Sequence, residues 1–490
     1  MSGSPLTYRF GPVERRGLLG PVRGGQVALL LAGALVAIVA LNAAPSSSGA
    51  VLATLAFGST VVGAVAPVRS RTLDQWAPIA VAFVFRRTLR RTRHRSSIPS
   101  AGMRARGSEI SDVEPHLPTA LDGVRIAEQA YRERAIGVVS EQGGRRLTAV
   151  LAGRVIAFSL LDADAQERRL ARWGLVLSGA AGTAIRRIQW LERTVPAQGD
   201  ELARWLHDER DPAVPLRGAP MIESYLELIG TSAQASQEHE ILVAVQVDSR
   251  RAHAEDPRAA LVEQAERVAH ALEAAEVTVV GALSAGQLAR ALRTSFDPYA
   301  RAELAAIEAA DPRRRGLAEA NAWPLGACES WDHYRSDGAV HATYWIGAWP
   351  RIDVSPLFMD ALLGRSGAVR TVAVTFEPIP PERSTREVEA AITRDHADRD
   401  LRHRFGQLET ARQRQAQEAT LRRESELAAG HSEVRLSGFV TVSGRDLEDL
   451  RRASAEVLEH AARARLELHR MYGEQAGAFT FTLPLCRGLR

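Results

Sequence analysis

Two histidines and two aspartates lie close together in the segment WDHYRSDGAVHATYW, residues 331–345. These residue types ligate metals or transfer protons, and Ser-Asp-Gly predicts a hairpin turn that brings His333 and His341 towards each other. Aromatic and polar pairs across two strands also stabilise a hairpin without any chemistry. We therefore expect a structural or partner-binding hairpin, with a metal or acid/base site as the alternative. The candidate contact residues are Asp332, His333, Asp337, His341 and Trp345.

The sequence offers few other residues for catalysis. All 62 basic residues are arginine, which excludes a P-loop lysine, a Schiff base and a lysine general base. The patterns G-x-G-x-x-G, G-x-S-x-G and H-E-x-x-H do not occur. The EHE run at 238–240 alternates between the faces of a strand, which disfavours a metal site. Cys328 and Cys486 are the two cysteines, too few for a disulfide framework and typical of a reducing compartment. We expect no enzyme activity, no cofactor and no ATP binding.

The length and composition of the chain indicate what kind of fold must position these residues. The chain has 490 residues, of which 46% are apolar and 24% charged, enough for two or three globular domains. The formal net charge is only +4. Arginines in the soluble part alternate with acidic residues, as in RRESELAAGH, so direct nucleic-acid binding is not expected. A membrane-tethered nucleic-acid-binding protein remains an alternative because of the basic segment described below.

Two uncharged apolar runs predict a transmembrane helical hairpin over residues 26–68. QVALLLAGALVAIVALNAA (26–44) and AVLATLAFGSTVVGAVAPV (50–68) both have spanning length, and PSSSG connects them. Arginines flank the hairpin and none lies in the connection, so both termini, including the tail 1–25, are predicted to be cytoplasmic at the cell membrane. A twin-arginine export signal and a buried soluble hairpin are the alternatives. The flanking arginines are Arg9, Arg15, Arg16, Arg23, Arg69 and Arg71.

A basic segment follows, within a predicted juxtamembrane linker at 69–112. DQWAPIAVAFVFRRTLRRTRHR (74–95) is apolar in its first half and basic in its second. We expect Trp76 and the apolar half to lie in the membrane interface, with the arginines on anionic headgroups. A solvated basic linker is the alternative. The predicted headgroup contacts are Arg86, Arg87, Arg90, Arg91, Arg93 and Arg95.

The remaining sequence alternates strand and helix patterns, which predicts an α+β cytoplasmic region. We expect two ferredoxin-like or related α/β sandwich units, 113–294 and 325–490, joined by a linker or insertion at 295–324. The second unit is predicted to contain a hairpin at 329–349, a long charged helix or a helical hairpin over 383–428 and a helix over 446–473. Its closing stretch, GAFTFTLPL (477–485), alternates like a strand, with Phe479, Phe481 and Leu483 on one face.

Four segments carry a family resemblance: LLDADAQERRLARWG, RRIQWLERTVP, GHSEVRLSGFVTVSGRDLEDL and YGEQAGAFTFTLPLCRGL. They resemble an actinobacterial family of two-span membrane proteins associated with type IV secretion and conjugation-like systems. Residues 113–490 are also similar to the N-terminal, non-motor region of type IV secretion ATPases. In those ATPases a comparable closing segment leads into the motor domain.

The resemblance implies a non-enzymatic, membrane-anchored docking platform for a separate secretion ATPase, oligomeric within a complex of other secretion subunits. Type VII secretion has a component of similar layout, so a type VII membrane-complex component is the alternative. A membrane-anchored enzyme that uses the 329–349 hairpin is a further alternative. None of the shared segments contains a catalytic motif, so the resemblance assigns no active-site residue.

Overall fold

The computed structural model divides into two compact units. One unit holds the described residues from Gly24 to Thr92 together with Tyr472–Glu474, and the other holds Arg93–Met471 and Gln475–Arg490. The structure describes residues 24–43, 45–66, 71–96, 116–131, 134–154, 158–196, 220–221, 223–224, 237–252, 256–301, 303–304, 317, 319–350, 352–364, 366–404, 411–429 and 432–489.

The first unit is built on three helices: α1 (Gly24–Ala43), α2 (Ser47–Val65) and α3 (Leu73–Thr88). Within the described ranges, α1 and α2 are the helices long and apolar enough to cross a membrane. The Ser46 hydroxyl caps α2 by accepting from the Gly49 N–H. These helices coincide closely with the two predicted spans. The predicted arginines at 9, 15, 16, 23 and 69 lie outside the described residues.

Helices α1 and α2 pack closely along their length. Gly33 faces Thr60, where a Cβ atom would overlap the threonine side chain. The Gln26 side-chain amide donates to the Ala64 carbonyl over 2.7 Å, which joins the start of α1 to the end of α2. Small residues let two apolar helices approach in this way. The two helices therefore form an antiparallel pair.

The second unit is built on one antiparallel sheet of 13 strands. The strand order is β1-β8-β9-β10-β12-β11-β5-β6-β4-β3-β2, with β13 also paired to β10 and β7 to β4. The strands are β1 (Arg93–Arg95), β2 (Arg125–Tyr131), β3 (Arg134–Glu141), β4 (Arg146–Arg154), β5 (Ile185–Pro196), β6 (Gln237–Asp248), β7 (Thr278–Ala282), β8 (Gly326–Glu329), β9 (Tyr334–Ser336), β10 (Ala339–Ala348), β11 (Val369–Pro378), β12 (Val434–Gly444) and β13 (Glu467–Arg470).

Helices and short helical turns connect these strands. The helices are α4 (Ala163–Ala180), α5 (Pro257–Ala274), α6 (Ala285–Phe296), α7 (Asp360–Leu363), α8 (Pro381–Arg404), α9 (Ala411–Ala428), α10 (Leu447–Arg463) and α11 (Gln475–Phe479). The 3₁₀ helices are Thr119–Leu121, Phe158–Leu160, Pro298–Ala300, Glu319–Ala322 and Thr480–Thr482.

The two halves of the sheet repeat one topology. The first half has the order β7-β4-β6-β5 and the second has β13-β10-β12-β11, with antiparallel neighbours throughout. Helices follow the first and the third strand of each half, counted along the chain. In the first half, α4 connects β4 to β5 and α5 connects β6 to β7. In the second half, α7 connects β10 to β11 and α10 connects β12 to β13. Strands β5 and β11 pair with each other, from Arg370↔Thr194 to Phe376↔Ile188. The strands of the two predicted α+β units therefore form a single continuous sheet.

The faces of the sheet are covered differently. Helices α4, α5 and α10 pack on one face through aliphatic clusters that include Val176, Leu272 and Val457. Helix α6 and the segment 475–486 cover the other face, where Phe296 and Phe479 are buried. Polar side chains are buried under this second cover as well, including those of residues 148, 187, 189, 246 and 341.

The closing segment is not the strand that its alternation predicts. Residues 475–482 form α11 and a 3₁₀ turn, and 483–489 cross the sheet without joining it. Side chains of the sheet satisfy its backbone: Gln189 donates to the Phe481 carbonyl over 2.7 Å and accepts from the Cys486 N–H over 2.8 Å. Because these bonds replace a strand ladder, Phe479, Phe481 and Leu483 do not share one strand face.

Two other boundaries differ from the prediction. The helix predicted over 446–473 ends at Arg463, where Arg465 has a φ of 58° and the chain turns into β13. The predicted linker at 295–324 contains the end of α6 and the buried Trp323, and its residues 305–316 lie outside the described residues. The charged region 383–428 forms the two helices α8 and α9, as its composition suggests.

Candidate functional site

Strand β1 brings part of the basic segment onto the predicted hairpin. It pairs with β8, with Arg93 opposite Cys328 and Arg95 opposite Gly326. Strand β8 pairs with β9, where Cys328 lies opposite Arg335. Because paired residues point to the same face of a sheet, the side chains of Arg93, Cys328 and Arg335 form one row across three strands, with Arg95 on the same face.

An open cavity of about 870 Å³ lies at this edge of the sheet. Arginine and histidine supply all of its charged or ionisable nitrogen groups, and no aspartate or glutamate is among the described residues that line it. The lining residues are Arg93, His94, Arg95, Leu325, Gly326, Ala327, Cys328, Ser330, His333 and Arg335.

The cavity arginines have no ion-pair partner among the described residues. Arg93, Arg95 and Arg335 are exposed, and none forms an ion pair with another side chain in the described part of the chain. The nearest acidic groups of the hairpin are already engaged. Asp337 forms an ion pair with Arg293 and accepts from the Gly326 N–H over 2.9 Å.

Asp332 is engaged by its neighbour in sequence. Its Oδ1 lies 2.8 Å from His333 Nδ1. Partial burial favours the neutral carboxyl group, but the hydrogen bond and charge of His333 outweigh it, so the pKa of Asp332 falls below its usual value. The charge of Arg470 lowers the pKa of Asp332 as well, so the groups that engage this carboxylate are His333 and Arg470 and not the cavity arginines.

His341 is buried on the opposite face and contributes nothing to the cavity lining. Its ring contacts the Ser443 hydroxyl at 2.8 Å, the Ser336 hydroxyl at 2.9 Å and the Phe296 carbonyl at 3.0 Å. Burial among neutral groups lowers the pKa of His341 to about 4. A neutral imidazole with both nitrogens engaged is held as part of the core.

The five hairpin residues are therefore distributed over different environments. His333 lines the cavity and Asp332 lies beside it, whereas Asp337 and His341 make internal polar contacts. Trp345 packs against His469, with ring centroids 5.9 Å apart. Within the described residues, no group of three or more His, Cys, Asp or Glu side chains is arranged to hold a metal ion.

The six arginines predicted to contact lipid are divided between the two units. Arg86 and Arg87 form the last turn of α3, and Arg90 and Arg91 follow it. The Arg86 guanidinium donates to the Gly473 carbonyl, which belongs to the same unit, over 2.5 Å. Arg93 and Arg95 instead lie in β1 of the sheet unit.

Sequence reasoning missed Arg335 and Cys328 as members of a site. Arg335 lies between two buried residues in β9, and this alternation indicates an outward side chain. The pairing of β1 with β8 joins residues more than 200 positions apart, so no local pattern reveals it.

The described residues combine two helices that are long and apolar enough to cross a membrane with a folded unit of mixed helices and strands. Residues 235–346 match the family model described as "Putative type VII ESX secretion system translocon, EccE". The matched run extends from β6 to β10 and includes the hairpin side of the cavity. It covers less than a quarter of the chain. No curated protein matches the sequence.

The match supports a component of a secretion-system membrane complex. It favours the type VII alternative and gives no support to the expected type IV or conjugation system.

Proposed function

We propose that this protein is a non-enzymatic, membrane-anchored docking component of a type VII secretion complex. The observation that carries the proposal is the match of residues 235–346 to the EccE family model. That run covers α5, α6 and strands from both halves of the sheet, so the similarity lies in the scaffold. The partners are other subunits of the complex, including a secretion ATPase, and the protein is oligomeric within it.

The anchor is the α1–α2 pair, with both termini in the cytoplasm. The large apolar side chains of these helices point outward, as shown by Leu31 and Leu55 at 66% and 64% exposure. Lipid chains are the natural cover for such surfaces. The connection between α1 and α2 has no charge, whereas arginines follow α3, which favours a cytoplasmic location for the sheet unit.

Helix α3 lies at the membrane interface in this proposal. Val81, Val84 and Phe85 form an exposed apolar stripe on one helix face, with exposures of 68%, 57% and 62%. Arg87 and Arg90 follow at its C-terminal end and contact anionic headgroups, each contributing about 1 kcal/mol to membrane binding. Arg86 and Arg91 lie in the same short segment and belong to the same surface.

We also propose that the sheet is a pair of ferredoxin-like units related by duplication. The antiparallel orders β7-β4-β6-β5 and β13-β10-β12-β11, with helices after the first and third strands, support this reading. The two units then meet through their second strands, β5 and β11.

Affinity purification in a mild detergent tests the assignment. Tagged full-length protein should co-purify with other membrane subunits of a type VII system and with its ATPase. An unrelated two-span membrane protein carrying the same tag, expressed at the same level, is the control. Enrichment of type IV subunits, or the same proteins in both samples, would refute the proposal.

Labelling from outside the cell tests the topology. With Cys328 replaced by serine, a Ser47→Cys variant should react with a membrane-impermeant maleimide after removal of the cell wall. A Ser425→Cys variant in α9 should react only after lysis. Labelling of Ser425→Cys in intact cells would overturn the cytoplasmic placement.

Calorimetry tests the non-enzymatic character. Full-length protein in detergent should bind neither ATP nor ADP at micromolar concentration, because the chain lacks both a P-loop and lysine. Saturable nucleotide binding, or ATP hydrolysis that follows the purified protein through gel filtration, would contradict it.

A further inference from the structure

We propose that the cavity beside β1 binds a phosphate group, carried by an anionic phospholipid headgroup or by a soluble phosphorylated molecule. The site is defined by Arg93, Arg95 and Arg335 around Cys328. It is independent of the secretion-system assignment, because it rests only on the arrangement of charge in the sheet unit.

The charge arrangement gives the first argument. Three guanidinium groups share one face of adjacent strands without an ion-pair partner in the described part of the chain. Several buried arginines elsewhere in the sheet unit are paired with carboxylates, as Arg187 is with Glu377 over 2.7 Å and Arg293 is with Asp337. Like charges held together repel each other, and an anion placed among them removes that repulsion.

The geometry gives the second argument. Arg93 and Arg335 lie on either side of β8, so their backbones are about 10 Å apart at the usual strand spacing of about 4.8 Å. Arg95 lies two residues from Arg93 on the same strand, about 7 Å away along it. Arginine side chains extend far enough to reach a common point between these positions. The small residues at 326 and 328 leave space below that point.

The chemistry of the donors identifies the ligand. A guanidinium group offers paired N–H donors that match the oxygens of a phosphate, and several of them can bind one phosphate together. The Ser330 hydroxyl and the His333 ring also line the cavity and add polar groups. His333 is oriented by its 2.8 Å contact with Asp332.

The size of the cavity is compatible with a small ligand. About 870 Å³ falls within the usual range for small-molecule sites of about 300–1,000 Å³. A phosphate-bearing headgroup or metabolite therefore fits the cavity, and the titrations described below test an acidic peptide as the competing ligand.

Two measurements on the full chain separate the sources of phosphate. Isothermal titration in detergent uses glycerol 1-phosphate and inorganic phosphate as soluble probes. Native mass spectrometry from nanodiscs of phosphatidylglycerol and phosphatidylcholine counts the anionic lipids retained. Binding in either measurement supports the proposal, and the one that detects it identifies the source.

The test variant is R93Q/R95Q/R335Q. The matched control is R267Q/R452Q/R463Q, which removes the same charge from exposed arginines on α5 and α10. We expect the test variant to weaken phosphate binding about 100-fold, from about fivefold (about 1 kcal/mol) per arginine, and the control to change it less than about threefold. Equal losses of phosphate affinity in both variants would mean that the protein attracts phosphate only through its general charge, and the proposed site would be wrong.

A second variant keeps the charge and the fold. Arg335→Lys retains the positive charge but loses the forked donors, and should weaken phosphate binding about threefold, which is less than the loss expected when the charge itself is removed. Full binding by Arg335→Lys would show that Arg335 acts only as a point charge and would contradict the proposed geometry. If the wild-type protein binds an oligoglutamate peptide but neither phosphate probe nor phosphatidylglycerol, the phosphate proposal is wrong.

Discussion

His341 makes the stability of the sheet unit depend on pH. The residue is fully buried, and its ring nitrogens contact two serine hydroxyls and the Phe296 carbonyl. The carbonyl can only accept, so Nε2 carries the proton and Nδ1 accepts from Ser443. The rings nearest to it, those of Tyr334 and Phe479, are uncharged. Among the described residues, no charged side chain contacts His341 to compensate a second proton, so the folded protein favours the neutral imidazole.

The magnitude follows from proton linkage. Burial lowers the folded-state pKa of His341 to about 4, whereas an unfolded histidine has a pKa of about 6.5. The unfolded chain therefore binds the extra proton first, and stability is lost as the pH falls from about 6.5 towards 4. At pH 5 the loss from this residue is about 2 kcal/mol relative to pH 7.5, and it approaches about 3 kcal/mol below pH 4.

Comparison with a His341→Gln variant isolates this contribution. Glutamine keeps a donor and an acceptor but does not titrate, so the variant should be less stable than wild type at pH 7.5 and should lose less stability on acidification. Urea unfolding in detergent, followed by tryptophan fluorescence, gives both free energies. The difference between the two proteins should shrink by about 2 kcal/mol between pH 7.5 and pH 5.

His270→Gln, which removes an exposed imidazole on α5, controls for the loss of a histidine as such. If the free energies of unfolding of wild type and His341→Gln differ by the same amount at pH 7.5 and pH 5, the inference that His341 is held neutral in the folded protein is wrong.

Three further predictions concern packing and charge. Phe479→Ala should lower the free energy of unfolding of the sheet unit by about 3–5 kcal/mol, because this residue is 2% exposed. Urea unfolding measures the change, and a loss below about 1 kcal/mol would contradict the described packing. Glu240→Gln should lower the free energy of unfolding by about 3 kcal/mol in the same assay, because it leaves the buried Arg193 without the carboxylate 3.0 Å away. An unchanged urea midpoint of unfolding would show that Arg193 finds another partner. Gly33→Leu should lower the melting temperature of the detergent-solubilised helix pair, whereas Gly58→Leu, where a side chain meets open space, should not; equal effects would contradict the proposed close approach of α1 and α2.

The periodic parts of the fold were predictable from sequence. The alternating residues 369–378 predict a strand, which is β11, and the pattern from about 257 to 275 predicts a helix, which is α5. The Ser-Asp-Gly turn also forms as expected, with Asp337 at a φ of 46°. These elements have strong local signals: alternating apolar residues, a capping aspartate and a turn residue that tolerates positive φ.

The closing segment was not predictable in this way. Its alternation of aromatic and polar residues satisfies a strand pattern, but the partners of its backbone are side chains of the sheet, such as Gln189 and Gln246. No feature of residues 477–485 encodes these distant donors. The tertiary hydrogen bonds outweigh the local preference, which is the usual limit of propensity arguments for strands.

Some residues of the candidate site were predictable from sequence, but their assembly into one cavity was not. The sequence marked Arg93, Arg95 and His333 as charged residues that needed an explanation, but assigned them to two different surfaces. Long-range strand pairing brought them to one cavity together with Arg335. A basic run predicts attraction to anions. The site itself depends on the pairing register of β1, β8 and β9, which cannot be read from the basic run alone.

The cover provided by residues 475–489 has a consequence for folding in the cell. Arg187 donates to the Cys486 carbonyl across 299 positions of the chain, and Arg487 contacts Glu141 across 346. At translation rates of about 5–20 residues per second, the first half of the sheet waits on the order of 15–60 seconds before its cover is synthesised. During that interval, Val139, Val150 and Leu191 lack part of their native contacts. The nascent chain is therefore a natural substrate for chaperones, and slowed translation late in the message should lower the yield of folded protein.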